Sequence, residues 1–279
     1  MLKNNIKVLY KYRGFNENTL SLLTKNVHCF SAPKYFNDPF DAFIENTTTF
    51  NKKQLKKYFK NISNGINKYK TNDFEYKLFD EEQLDTTDFR ILSLSKAWNN
   101  QLMWSHYANN QTGICIGFKI HQIAGENLLK CNYNDFILEN EPFLKLLFDT
   151  FHECYIPVGR VLYTKNRIGY NILNENLYSR ILMAKSLFYK NKDWKYEQEY
   201  RSVIPKENLS SHLMNDDERS LIRFDPKEIC EITFGLLTSE SDKKTVYDIV
   251  KQYENGGNWI KFYQCKMIKN KFAVERISC

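Results

Sequence analysis

Runs that alternate apolar and polar residues stand at both ends of this chain, and such period-two alternation is the pattern of a half-buried strand. Residues 8–12 read as the first strand; 259–265 and 272–277 alternate again, with Lys269 and Asn270 between them as the turn of a closing hairpin. Further strands are predicted at 28–31, 91–95, 113–118, 199–204 and 231–234. Helical spacing marks 16–24, 51–69, 98–109, 142–155, 171–189 and 239–253, and Gly256 and Gly257 stop the last of these. Residues 33–41 carry the Asn37-Asp38-Pro39 chemistry of an ordered turn. Together these elements predict an α+β chain without internal repeats, and 279 residues suffice for one large domain with helical insertions near 50–90 and 140–190.

Forty Lys and Arg against 33 Asp and Glu leave a net charge of +7, which favours polyanions without reaching a dedicated nucleic-acid-binding composition. The lysines of 52–60 read as the solvated face of an amphipathic helix. Seven cysteines are scattered with no Cys-x-x-Cys pair, which argues against a zinc cage and a disulfide framework and points to the cytoplasm. The first residues lack the apolar stretch of a secretion signal, and no segment approaches the roughly 20 apolar residues of a membrane span, so no membrane partner is expected.

Glu197 and Glu199 form the most informative pair, because alternation along a strand aims both carboxylates at one face. Ser93 and Ser95 repeat that geometry with hydroxyls, and Arg13 ends the first strand. Trp104, His106 and Tyr107 add a stacking surface, a group that titrates near neutral pH and a phenol. Three other uses of these residues are open. Glu197 and Glu199 pair structurally with Lys185, Lys192, Lys195 or Arg201; or they join Asp38 and Asp41 around a magnesium ion in a nuclease; or the pocket binds a nucleotide or nucleic acid without chemistry. The isolated histidines disfavour a zinc hydrolase, and the glycine spacing disfavours a dinucleotide-binding dehydrogenase.

The motifs around Arg13, at 36–41, Ser93 to Ser95, 103–108, 113–118 and 194–201 resemble the bacterial domain of unknown function family 2971. A weaker likeness is to the ADP-ribosyltransferase superfamily, whose arginine-serine-glutamate class carries an Arg on its first strand, a Ser-Thr-Ser-like strand and a late Glu-x-Glu strand; here Leu94 replaces the central Thr. That likeness implies a split, bent β-sheet core, with NAD as substrate and ADP-ribose passed to a protein or nucleic-acid acceptor, or to water. It further implies that Arg13 grips the pyrophosphate, and that Ser93 orients the ribose or the carboxylate of Glu199. Glu199 would stabilise the oxocarbenium-like centre, Glu197 would position or deprotonate the acceptor, and Ser95, Trp104, His106 and Tyr107 would surround the cofactor. A bacterial toxin or antiphage effector is the setting such an activity implies.

Overall fold

Leu9, buried completely, faces the main core from the first strand, β1 (Val8–Arg13), while Lys11 and Arg13 continue along the same face into a cleft. The computed structural model describes residues 6–42, 45–46, 86–136, 145, 153–166, 169–170, 186–210, 219–254, 257 and 259–279. Ten strands form one sheet. The other nine are β2 (Val27–Ser31), β3 (Phe89–Ser95), β4 (Ile114–Lys119), β5 (Gly159–Arg160), β6 (Glu199–Pro205), β7 (Arg219–Arg223), β8 (Ile229–Phe234), β9 (Lys261–Met267) and β10 (Val274–Ser278). Their order is β7-β2-β3-β1-β4-β8-β9-β10, with β6 also on β3 and β5 on β6.

The pairing of β3 positions the site. One edge of β3 is zipped to β6 along its length, from Phe89 opposite Pro205 to Ser95 opposite Glu199. The other edge is shared: β2 touches it only at Ile91, through Ser31, and β1 only at Ser95, through Tyr10. Between those two points β1 and β2 part, and Ser93 sits in the fork. A carbonyl left without a strand partner needs a donor from elsewhere. Lys11 supplies it, its Nζ donating to Ser93 O at 2.7 Å.

Three helices of seven residues or more are described. Helix α1 (Glu17–Lys25) is capped by Asn16, whose side chain accepts from Thr19 N, and ends on Asn26 in the left-handed region at φ 52°. Helix α2 (Gln101–Tyr107) is capped by Asn100, which accepts from Leu102 N and Met103 N; α3 (Glu240–Glu254) lies between β8 and β9. The core joins apolar residues of β1–β4 and β6–β8 to Val246, Ile249 and Val250 of α3. A second cluster holds Tyr10, Tyr12, Met103 and Trp104.

The expected α+β class stands, and the strands at both ends, including the closing hairpin β9–β10, occupy the predicted segments. Two boundaries need correction. Cys154–Pro157 and Tyr189–Asn191 are strands, where the helical spacing of 142–155 and 171–189 ran on into them. Cys154, Tyr155 and Ile156 are all buried, so no alternation betrays the strand. The first of these strands completes a small sheet with His121–Ile123 and Glu126–Cys131, which the sequence reading left unassigned. The remainder of those two helices, the helix at 51–69 and most of both insertions lie outside the described residues.

Gly113, just before β4, leaves no space for a side chain: an added Cβ would stand 2.1 Å from Arg13 O and 2.9 Å from Ala108 O. Both neighbours are backbone and can yield only by moving β1 at Arg13 and the end of α2 at Ala108. Gly113→Ala is expected to cost about 1–3 kcal/mol, the usual penalty of overpacking. A fall in the denaturant midpoint at unchanged slope checks this; a midpoint at the wild-type value contradicts the close approach.

Candidate functional site

The fork opens into a cleft of about 460 Å³ whose lining includes Lys11, Arg13, Cys29, Ser93, Ser95, Tyr107, Lys190, Glu197 and Glu199. Helix α1 contributes Asn18, Ser21 and Lys25, the turn at 33–41 contributes Tyr35, Phe36, Asn37 and Asp41, and β7 contributes Arg219. Arg13, Ser93 and Glu199, from three separate stretches of sequence, therefore face one cavity.

Glu199 and Arg201 point to one face of β6, being two residues apart on a strand. Arg201 grips Glu199 with two bonds, Nε to Oε1 at 2.7 Å and Nη2 to Oε2 at 3.0 Å. It also donates from Nη2 to Asp41 Oδ2 at 2.6 Å and from Nη1 to Leu187 O at 2.7 Å. Lys190 stands at the centre of the same cluster, with its Nζ 2.6 Å from Glu197, 3.2 Å from Asp41 and 3.3 Å from Glu199. Three buried carboxylates thus share two buried cations. Ser93, on the neighbouring strand β3, adds to the polar surroundings of Glu199.

Glu197 does not belong to the strand. It ends a 3-10 turn, Lys192–Glu197, and Gln198 takes the left-handed conformation at φ 46° before β6 begins. The two carboxylates still converge, but on Lys190 and through that backbone reversal rather than through alternation. Ser95 holds the reversal in place: its Oγ donates to Glu197 O at 2.7 Å. Tyr107, at the end of α2, donates to Glu197 Oε1 at 2.6 Å and accepts from Asn37 Nδ2 at 3.1 Å.

Burial and neighbouring charge set the protonation of the pair in opposite directions. Burial alone would raise the Glu199 carboxyl, but Arg201 and Lys190 beside it, helped by Ser93, hold it down at about 2. Glu197 is raised, because burial and the charge of Glu199 outweigh Lys190. A folded carboxyl below its unfolded value contributes stability that is complete above the unfolded pKa, about 4.3, and disappears as pH falls through the folded one. Glu199 therefore steepens acid unfolding between pH 4.5 and 2. Glu197 acts with the opposite sign, losing its contribution as pH rises past its unfolded value. Urea midpoints measured from pH 6 to 2.5 should fall less steeply for Glu199→Gln than for the wild type; parallel curves contradict the assignment.

Two of the expected residues stand apart from the cleft. Trp104 is buried in the second core cluster, edge-on to Tyr12 with ring centroids 5.2 Å apart, and its Nε1 donates to Trp98 O. His106 is exposed on the next turn of α2, within hydrogen-bonding distance of Tyr196 Oη at 3.1 Å. Trp104 lies one turn before Tyr107 on the same side of α2 and packs inward, whereas His106 points to solvent. Asp38 closes its turn by accepting from Phe40 N at 2.9 Å, while Asp41 reaches the ionic cluster. Among the described residues no group of three His, Cys, Asp or Glu side chains is arranged to hold a metal ion. Of the four carboxylates that the magnesium reading gathered, Asp41, Glu197 and Glu199 face Lys190 or Arg201, and Asp38 closes its own turn.

Lys11, Lys190, Cys29 and Arg219 were not singled out in the sequence. Lys190 closes a segment with helical spacing, and Lys11 is one lysine among many; the i+2 offset of Arg201 from Glu199 is the single signal that anticipates part of the cluster. Residues 103–202 of the chain match the family described as "Protein of unknown function (DUF2971)". The matched stretch holds Tyr107, Lys190, Glu197, Glu199 and Arg201 and stops short of Lys11, Arg13 and Ser93. No curated protein and no solved structure matches the chain. No helix among the described residues is long and apolar enough to cross a membrane.

Proposed function

We propose that the cleft binds NAD and breaks the bond between nicotinamide and ribose, passing ADP-ribose to a macromolecular acceptor or to water. The observation that carries this reading is the polarity of the cleft. One side presents Lys11 and Arg13, with Arg219 close to Arg13; the other presents three carboxylates against two cations. NAD has the complementary polarity, a diphosphate dianion in its middle and a positively charged nicotinamide ring at one end.

Each residue then has a task that its surroundings favour. The guanidinium of Arg13 offers a planar fork to the diphosphate. Glu199, kept ionised, faces the ribose as nicotinamide departs with the bonding pair and positive charge grows on C1′ and the ring oxygen; a carboxylate already in place stabilises that charge without reorganisation. Ser93, on the neighbouring strand, helps keep that carboxylate ionised. Glu197, whose proton affinity is raised by burial, takes the proton from the attacking hydroxyl or water. Tyr107 orients Glu197 and offers its ring to the nicotinamide side of the cleft.

NAD labelled in its adenosine half, incubated with the purified protein and a cell lysate, tests the proposal. Label is expected to appear either in a macromolecular fraction or in free ADP-ribose, with one nicotinamide released for each. Saturable NAD binding with no release under any condition leaves a nucleotide-binding module and overturns the transferase.

A further inference from the structure

Lys11 is the titratable group of the cleft to which the proposed chemistry gives no task. It enters the fork from β1, and its Nζ donates to the carbonyl of Ser93, a residue that helps keep Glu199 ionised. That bond occupies one of three donor positions of an ammonium. Arg13, two residues along the same face, has Cys29 as a neighbour, and its Nε is buried with no acceptor. The carboxylates of the cleft are held on the far side by Lys190 and Arg201. The floor of the fork therefore gathers donors and positive charge, and among the described residues no carboxylate forms an ion pair with Lys11 or Arg13, which is the composition of an anion site.

We propose that Lys11 and Arg13, side by side in the fork, form a diphosphate site in which binding of the anion is coupled to uptake of a proton by Lys11 Nζ. The inference rests on the reading of the cleft as a nucleotide site, though not on group transfer. The surroundings of Lys11 fit it. Burial, then Arg13, lower its pKa to about 7, while Cys29 of β2, Glu199 of β6 and Glu197 beside it pull the other way. His28 of β2 feels Lys11 and Arg13 and is itself held neutral at about 3, chiefly by burial. A bound dianion adds a strong opposite charge next to Lys11 and returns it to the ammonium form.

ADP-ribose is the probe, because its diphosphate is a diester and stays dianionic from pH 6 to 9. Calorimetric titration in two buffers of different ionisation heat should show uptake of about 0.9 proton per ligand at pH 8 and about 0.1 at pH 6. Affinity should fall more than about tenfold between pH 6.5 and 8.5. Lys11→Arg, which still reaches Ser93 O and carries a permanent charge, should bind with no proton uptake and with a flat pH profile. Lys11→Met should lose both affinity and uptake; if it fails to fold, Lys11→Arg still decides. A lysine that merely closes the fork predicts wild-type binding without proton uptake at pH 8, and that result overturns the proposal. NAD turnover with a pH-independent KM and no uptake removes the proton link while leaving the transferase intact. Proton-linked binding of ADP-ribose with no nicotinamide release does the reverse.

Discussion

Arg201→Met is expected to destabilise the fold by about 3–5 kcal/mol, the usual cost of removing one partner from a buried ionic cluster. The Arg201 side chain is 0% exposed, and four of its five N–H donors serve Glu199, Asp41 and the carbonyl of Leu187. Methionine fills much of the same volume, so the loss comes from charge rather than from a cavity. Asp41, Glu197 and Glu199 would remain around Lys190 alone, and Asp41 Oδ1 already lacks a hydrogen-bond partner. The sign of the pH dependence follows from that imbalance. Carboxyls left without Arg201 rise above their unfolded values, so the variant recovers stability as pH falls toward 5 and loses most at pH 8. Chemical unfolding at both pH values measures this. A loss under about 1 kcal/mol at pH 8 would show that solvent, not Arg201, compensates the cluster.

Glu199→Gln should leave the fold standing and lower nicotinamide release by about 10²–10⁴-fold, the range associated with loss of a positioned catalytic group. Charge arithmetic explains why folding tolerates it: the cluster changes from three carboxylates and two cations to two of each. The amide oxygen still accepts from Arg201. What disappears is the negative charge beside the ribose when nicotinamide leaves, so kcat falls while the binding of NAD changes little. Release rates with far-ultraviolet dichroism of the same preparations separate this from unfolding. Release at the wild-type rate would remove Glu199 from the chemistry.

The convergence of Arg13, Ser93 and Glu199 could be anticipated because strand alternation fixes which face a side chain takes, and these three lie on strands near their ends. The sharing of one β3 edge by β1 and β2 could not, since it depends on where two other strands stop pairing. Nor could the route by which Glu197 joins Glu199: Gln198 in the left-handed region has no glycine or asparagine signature, and the turn is imposed by its bonds, including Lys96 N to Gln198 O at 3.0 Å. Trp104 and His106 were drawn toward the site by their nearness in sequence to Tyr107, but His106 is one step of about 100° away from Tyr107 and faces solvent, while Trp104, one turn before Tyr107 on the same side of the helix, is taken up by the core beneath it. In the small sheet, Leu128 and Leu129 are adjacent and both buried, which breaks the alternation that would have marked their strand. Lys190 escaped for an energetic reason. A buried lysine is informative only once its carboxylates are known, and Asp41 lies far from it in sequence.

The account depends on Arg13 and Glu199 serving one NAD molecule. Titration of NAD into Glu199→Gln, which binds without turning over, tests that most directly when repeated in the Arg13→Met, Glu199→Gln double variant. Saturable binding by the first and a loss of about tenfold or more in the second are predicted, the size expected for a charge-assisted contact to phosphate. Equal affinity in the two, or no saturable binding in either, contradicts it.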